Sequence, residues 1–112
     1  MIFIVEAKKF LKNRVDFCGE DDESCETLGL AKLAGMCDPD NSCSINQNTG
    51  LSLAFTIAHE MGHNFNADHD SEVGCENLDK SKMNIMETNV KYESSNIAWS
   101  DCSRNSIETF LE

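Results

Sequence analysis

No apolar run in this chain approaches the ~20 residues needed to cross a bilayer, so it carries no transmembrane-helix signal. The opening Met1-Ile2-Phe3-Ile4-Val5 is broken by Glu6, Lys8 and Lys9. It has neither the apolar length nor the small-residue cleavage site of a signal peptide. Bases are scarce, with nine Lys and Arg against 20 Asp and Glu, for a net charge of −11. That balance excludes nucleic acid and an anionic membrane as main partners. No Cys-x-x-Cys pair is present, which removes the usual signature of a thiolate zinc site or a thioredoxin-like redox motif. Internal repeats and low-complexity tracts are absent as well. At 112 residues the chain is long enough for one domain, 1–112, and too short for two. Its 40% apolar and 26% charged composition excludes disorder as the whole story.

What the chain does have is six cysteines, a high count for a reducing cytosol and an even number that suits disulfides. Six allow about 15 pairings, and the sequence alone does not choose among them. An extracellular chain without its own signal implies that the start of the natural protein lies outside these residues. The acidic run Glu20-Asp21-Asp22-Glu23 reads as a solvated loop tip between Cys18 and Cys25.

Hydrophobic patterning predicts a helix-rich α+β chain with a few short strands. Ile2–Val5 reads as the end of a buried strand, Phe10–Phe17 is ambiguous, and Thr27–Leu33 reads as a short strand containing a glycine. Ser42–Asn46 alternates like another strand, between turns at Asp38-Pro39-Asp40-Asn41 and Asn48-Thr49-Gly50. Leu51–Phe65 is the clearest helix, with Ala54, Ile57, Ala58, Met61 and Phe65 on one apolar stripe. Asn66 can end it, because Asn tolerates the left-handed conformation of a helix stop. Ser71–Lys82 is polar and loop-like. A last helix is expected from about Ser103 to Leu111, with Ile107, Phe110 and Leu111 on its buried face.

The chemistry is concentrated in one stretch, His59-Glu60-Met61-Gly62-His63-Asn64-Phe65-Asn66-Ala67-Asp68-His69-Asp70, which holds all three histidines. His59 and His63 are four apart, so on a helix they project from one face a turn apart and can share a metal. Glu60 is rotated off that line, within reach of a metal-activated water. His69 can join them only if the chain turns sharply after the helix, and Asn66 sits where that turn is needed. Three neutral imidazoles plus water form an open tetrahedral zinc site. Glu60 then accepts the proton as water attacks a carbonyl and returns it to the leaving amine. The bland alternative is a polar helix face with stray histidines, and the third histidine at this offset argues strongly against it.

With those residues on the page, the segment resembles the metzincin pattern His-Glu-x-x-His-x-x-Gly-x-x-His. The following Asp70 narrows the likeness to adamalysin or reprolysin metalloproteases, and most nearly to the ADAMTS proteases. Cys25-Glu26-Thr27-Leu28-Gly29-Leu30-Ala31, Gly35-Met36-Cys37-Asp38-Pro39 and Ser42-Cys43-Ser44-Ile45-Asn46 look like that family. So do Ala54-Phe55-Thr56-Ile57-Ala58, Ile85-Met86 and Trp99-Ser100-Asp101-Cys102-Ser103. The likeness runs from about Asp16 to Leu111. One departure is Asn66 in place of glycine, at a cost of order 1 kcal/mol. Some proteoglycan-cleaving members are similar in having Asn there.

The resemblance implies that His59, His63 and His69 are zinc ligands and Glu60 is the catalytic residue. It further implies a Met-turn at Met86 beneath the metal, and an edge strand at Thr27–Ala31 where a peptide substrate adds as another strand. Asp16 falls where the family can place a calcium ligand, but the six to eight oxygens that Ca²⁺ needs are not assembled by this sequence. By resemblance, Cys18 pairs with Cys25 and Cys75 with Cys102. Family partners of Cys37 and Cys43 lie outside the segment, which leaves open whether these two pair with each other or are left over.

The reading is thus a partial, C-terminal portion of a metzincin catalytic domain: active-site helix, short edge strand, Met-turn and C-terminal helix. The function it implies is zinc metalloendopeptidase, acting on extracellular protein or matrix proteoglycan as a secreted enzyme. With much of the sheet outside the chain, weak zinc binding and poor cleavage are expected of it alone. Two rivals are a catalytically weak zinc-binding remnant and a disulfide-bonded extracellular interaction module. A purely structural metal site would not require a carboxylate at Glu60.

Overall fold

The computed structural model describes residues 3–6, 28–47, 49–77, 79, 81–89 and 96–112. Within them, element order is β1 (Phe3–Glu6), β2 (Gly29–Ala31), β3 (Cys43–Asn46), a 3₁₀ turn (Gly50–Ser52), α1 (Leu53–Asn64), β4 (Lys82–Asn84), β5 (Asn96–Ala98) and α2 (Asp101–Leu111). The architecture is α+β, as expected. Cys18, Cys25, Asp16, Thr27 and the ambiguous Phe10–Phe17 segment fall outside the described residues.

The three-stranded sheet has the order β1-β3-β2. β1 runs parallel to β3 with Phe3 opposite Cys43, and β2 runs antiparallel with Gly29 opposite Asn46. Among the described residues β2 pairs on one side only, so it is an edge strand. Strand β3 alternates, with Ser44 and Asn46 buried and Cys43 and Ile45 exposed, because successive side chains leave opposite faces of the pleat. The buried face lies against α1.

Helix α1 begins two residues later than expected, since Gly50–Ser52 form a 3₁₀ turn. Its inward face also differs from the apolar stripe. The buried positions are Thr56, Glu60, Gly62 and Asn64, while Ile57, Ala58, Met61 and Phe65 are half-buried and Ala54 is exposed. Thr56, Glu60 and Asn64 recur at intervals of four and form one line along the helix. Asn64 shows why a polar line faces inward: its Nδ2 donates to the Lys32 carbonyl at 2.9 Å and to that of Cys43 at 3.4 Å. Backbone bonds from Ala34 N to His63 O (2.9 Å) and Met36 N to Asn64 O (3.0 Å) tie the same helix end to the loop after β2.

A second sheet, β4 parallel to β5, was not legible in the polar sequence around it; Met83 lies opposite Ile97. Residues 71–74 form turns, as their polarity predicts, but Lys82 already belongs to β4. Helix α2 starts at Asp101, earlier than expected, because the Ser100 side chain caps it by accepting from Ser103 N. An N-cap of this kind contributes about 1 kcal/mol. Ile107 and Phe110 are half-buried, Phe110 meeting Phe65 edge-on with centroids 6.1 Å apart. Leu111, expected on the buried face, is 64% exposed.

Fully buried apolar side chains are few among the described residues: Ala67, Met83 and Met86. Leu30, Leu51, Ile97 and Leu111 are more than half exposed. At about 1.5–3 kcal/mol for each large apolar side chain fully buried, the described residues contribute little core stability.

Candidate metal centre

The end of α1 determines where the third histidine goes. Asn66 adopts φ 70°. Ala67 N then donates to Gly62 O and Asn66 N to His63 O, each at 2.9 Å. These two bonds form a Schellman stop, with Asn in the left-handed position where the pattern has glycine. The chain reverses there, and His69 comes back beside the helix. The imidazole centroids of His59 and His63 are 4.9 Å apart, those of His59 and His69 5.2 Å, and those of His63 and His69 4.8 Å. One ring nitrogen from each lies within 4.8 Å of the other two, so the three can hold one metal ion.

The remaining ring nitrogens test whether the arrangement suits a metal. His59 Nδ1 lies 2.6 Å from the Ile85 carbonyl and His63 Nδ1 2.8 Å from that of Ala67. Carbonyls only accept, so each Nδ1 carries the proton and leaves Nε2 with its lone pair free. His69 Nδ1 sits 3.5 Å from the Glu72 carboxylate. Orientation of a ligating imidazole through its other nitrogen is the usual support of a metal site; His59 and His63 have it as hydrogen bonds, and His69 has the Glu72 carboxylate nearby. The residues fit zinc. Burial lowers the His59 pKa to about 4, against the raising effect of the Ile85 carbonyl, and the neighbouring imidazoles lower it further. Burial also lowers that of His63, partly offset by Ala67 O. Both rings are therefore neutral at physiological pH, the form that binds metal.

Glu60 projects from the same helix onto the edge strand. It is 5% exposed, and burial raises its pKa to about 7. A carboxyl with its pKa there can both take up and release a proton near neutral pH.

Against Gly62, on the helix between His59 and His63, lies Met86, fully buried. A Cβ on Gly62 would overlap Met86 Sδ and approach Trp99 Cζ3 to 3.0 Å, so the helix can sit on the methionine turn only because position 62 is glycine. The turn is held from below: Asp70 N donates to Met86 O at 3.0 Å, and the buried Asp70 carboxylate accepts from Ser100 Oγ and from Ser103 Oγ (3.4 Å). Asp70 Oδ2 is buried with no partner among the described residues. Cys75 and Cys102 are disulfide-bonded with Cα atoms 6.1 Å apart, joining the loop after His69 to α2. Cys37 and Cys43 are unbonded and exposed, so of the two alternatives they are left over.

Of the residues singled out from the sequence, the structure brings His59, His63 and His69 together, seats Met86 against Gly62 of the same helix and turns Glu60 onto Gly29 of the edge strand. Sequence reasoning missed the clamp at Asn64, the clearance at Gly62 and the clearance at Gly29, where a Cβ would lie 2.6 Å from Glu60 Oε1. A signal for Asn64 was available, since it falls four residues after Glu60 on a line otherwise facing a sheet.

The family model of the Reprolysin (M12B) family zinc metalloprotease matches residues 6–112. Human "A disintegrin and metalloproteinase with thrombospondin motifs 7" is 48% identical over 103 residues, 91% of this chain and 6% of that protein. The mouse protein of the same title numbered 12 is 46% identical over 103 residues, again 91% of this chain and 6% of the relative. The human protein numbered 6 is 44% identical over 104 residues, 91% of this chain and 9% of the relative. The chain therefore spans a small fraction of the length of these relatives. A metal-ready trihistidine cluster on an α1–turn–Met86 scaffold and a match over nearly the whole chain lead to the same place: the chain belongs to the reprolysin family of zinc metalloproteases.

Proposed function

We propose that this chain is a zinc metalloendopeptidase segment that hydrolyses peptide bonds of extracellular or matrix proteins, proteoglycans among them. His59, His63 and His69 are the zinc ligands in this reading, and Glu60 is the catalytic residue. The observation that carries it is the convergence of three imidazoles, two of which have Nδ1 committed to backbone carbonyls. Bound zinc supplies Lewis-acid polarisation of water and of the scissile carbonyl. Glu60 takes the proton of the attacking water and passes it to the leaving nitrogen, a task suited to its buried, raised carboxyl. The edge of β2 that no described strand pairs offers backbone groups to an extended peptide, fixing the bond's direction across the site. The relatives' title names them metalloproteinases, and a cysteine-rich chain with a disulfide suits a secreted setting.

Replacing Glu60 with Gln keeps shape but removes the proton acceptor. Hydrolysis of a peptide substrate should fall by about 10²–10⁴-fold while zinc content stays the same. Unchanged cleavage would overturn the role given to Glu60. A second reading, a zinc-binding chain of low activity, is favoured by the exposure of Leu30, Leu51, Ile97 and Leu111. It predicts stoichiometric zinc with no measurable cleavage even before substitution.

A further inference from the structure

The edge strand meets the helix at one point where there is no room for a side chain. A Cβ built on Gly29 would lie 2.6 Å from Glu60 Oε1, 2.7 Å from Cγ and 2.9 Å from Cδ. Carbon atoms in favourable contact sit about 3.5–4.0 Å apart, so three consecutive atoms of Glu60 occupy the space that any other residue at 29 would fill. Turning the terminal carboxylate does not clear it, because Cγ is already too close. Relief requires a new χ1 for Glu60, and helices leave few χ1 choices.

Nor can the strand retreat. Gly29 is in register opposite Asn46, and Gln47 N donates to Leu28 O at 2.8 Å beside it. The left-handed conformation is not the reason for glycine here, since the positive-φ glycines are Gly50 and Gly74. Only size is.

We propose that Gly29 is a positioning residue for Glu60: its missing side chain is the slot in the edge strand that holds the buried Glu60 side chain, on the same helix that carries His59 and His63. The proposal rests on the reading of Glu60 as the proton acceptor for its functional meaning. The slot also links substrate binding to chemistry, because the strand that receives the peptide is the strand that seats Glu60. A side chain at 29 expels Glu60 without touching His59 and His63, which are held by Ile85 O and Ala67 O instead.

The test is a four-protein cycle on the whole chain: the natural sequence, Gly29→Ala, Glu60→Ala and the double variant. Three properties are measured: the urea midpoint, zinc affinity, and kcat and KM for a peptide. Gly29→Ala should lower the urea midpoint when Glu60 is present and leave it unchanged or raised in the Glu60→Ala background, where Cγ, Cδ and Oε1 are gone. Zinc affinity should stay within about threefold, well short of the 10–100-fold loss that follows damage to the groups orienting a metal's ligands. In the natural background kcat should drop about 10²-fold with KM little changed, the loss expected of a misplaced catalytic group, and Gly29→Ala should cost nothing more once Glu60 is absent. Equal losses of midpoint in both backgrounds would overturn the proposal, since the added methyl would then be damaging the strand itself. Cleavage unaffected by Glu60→Gln would defeat the catalytic reading of Glu60 while the stability cycle still judged the slot.

Discussion

An added methyl at Gly62 should act on the metal site through the methionine beneath it. In an open helix interior, Gly→Ala stabilises by about 1 kcal/mol, because Gly pays the larger backbone entropy. Position 62 is not open. The new Cβ would overlap Met86 Sδ and stand 3.0 Å from Trp99 Cζ3, and Met86 is fully buried, with no solvent into which it can swing. Overpacking of this kind costs about 1–3 kcal/mol. Because the sulfur overlap is severe, the upper part of that range applies, and Gly62→Ala should lower stability by about 1–2 kcal/mol net of the helix gain. The same strain reaches the site. Moving Met86 moves its neighbour Ile85, whose carbonyl holds His59 Nδ1 at 2.6 Å, so zinc affinity should fall about tenfold. Urea unfolding with and without zinc, together with competition against a chromophoric chelator, measures both quantities. A variant about 1 kcal/mol more stable than the natural chain with unchanged zinc affinity would refute the packing argument.

Acidity separates two opposing groups in the metal-free chain. His59 has a folded pKa of about 4 against 6.5 for the free side chain, so its contribution is present above pH 6.5 and is lost as pH falls toward 4. Glu60, raised to about 7 from 4.5, contributes in the opposite sense: its stabilisation is present below pH 4.5 and is lost as pH rises toward 7. Glu60→Gln removes the second effect, so the variant should lose more stability than the natural chain between pH 6.5 and 4.5 in urea titrations; parallel profiles would count against the buried placement of Glu60. The Cys75–Cys102 bridge closes a separation of 27 residues, for which chain-entropy arguments give about 3–4 kcal/mol. The Cys75→Ser/Cys102→Ser pair should unfold at correspondingly lower urea, and an unchanged midpoint would show that the loop is held by Asp70, Ser100 and Ser103 alone.

Much of the candidate site was legible because its spacing is written in consecutive residues. His59 and His63 share a face by helical periodicity, and Asn66 announced the reversal that brings His69 back. What escaped was contact at a distance. The inward face of α1 was misread because hydrophobicity marks burial only where no polar partner exists, and Asn64 finds its partners at Lys32 and Cys43. Gly29 and Gly62 carry no side-chain signal at all; their importance lies in the atoms of Glu60 and Met86 that come close. The β4–β5 pair was missed because three-residue strands in a polar stretch have no readable alternation, and Met83 alone among the residues of β4 is buried.

The central claim, that His59, His63 and His69 form the metal centre, has a natural competitor in the two exposed free thiols, Cys37 and Cys43. Zinc K-edge X-ray absorption of the chain loaded with one equivalent of zinc distinguishes them directly. The account predicts a shell of nitrogen and oxygen at about 2.0–2.1 Å with the multiple scattering of three imidazoles and no sulfur. A sulfur shell at about 2.3 Å, or fewer than three imidazoles, would contradict it.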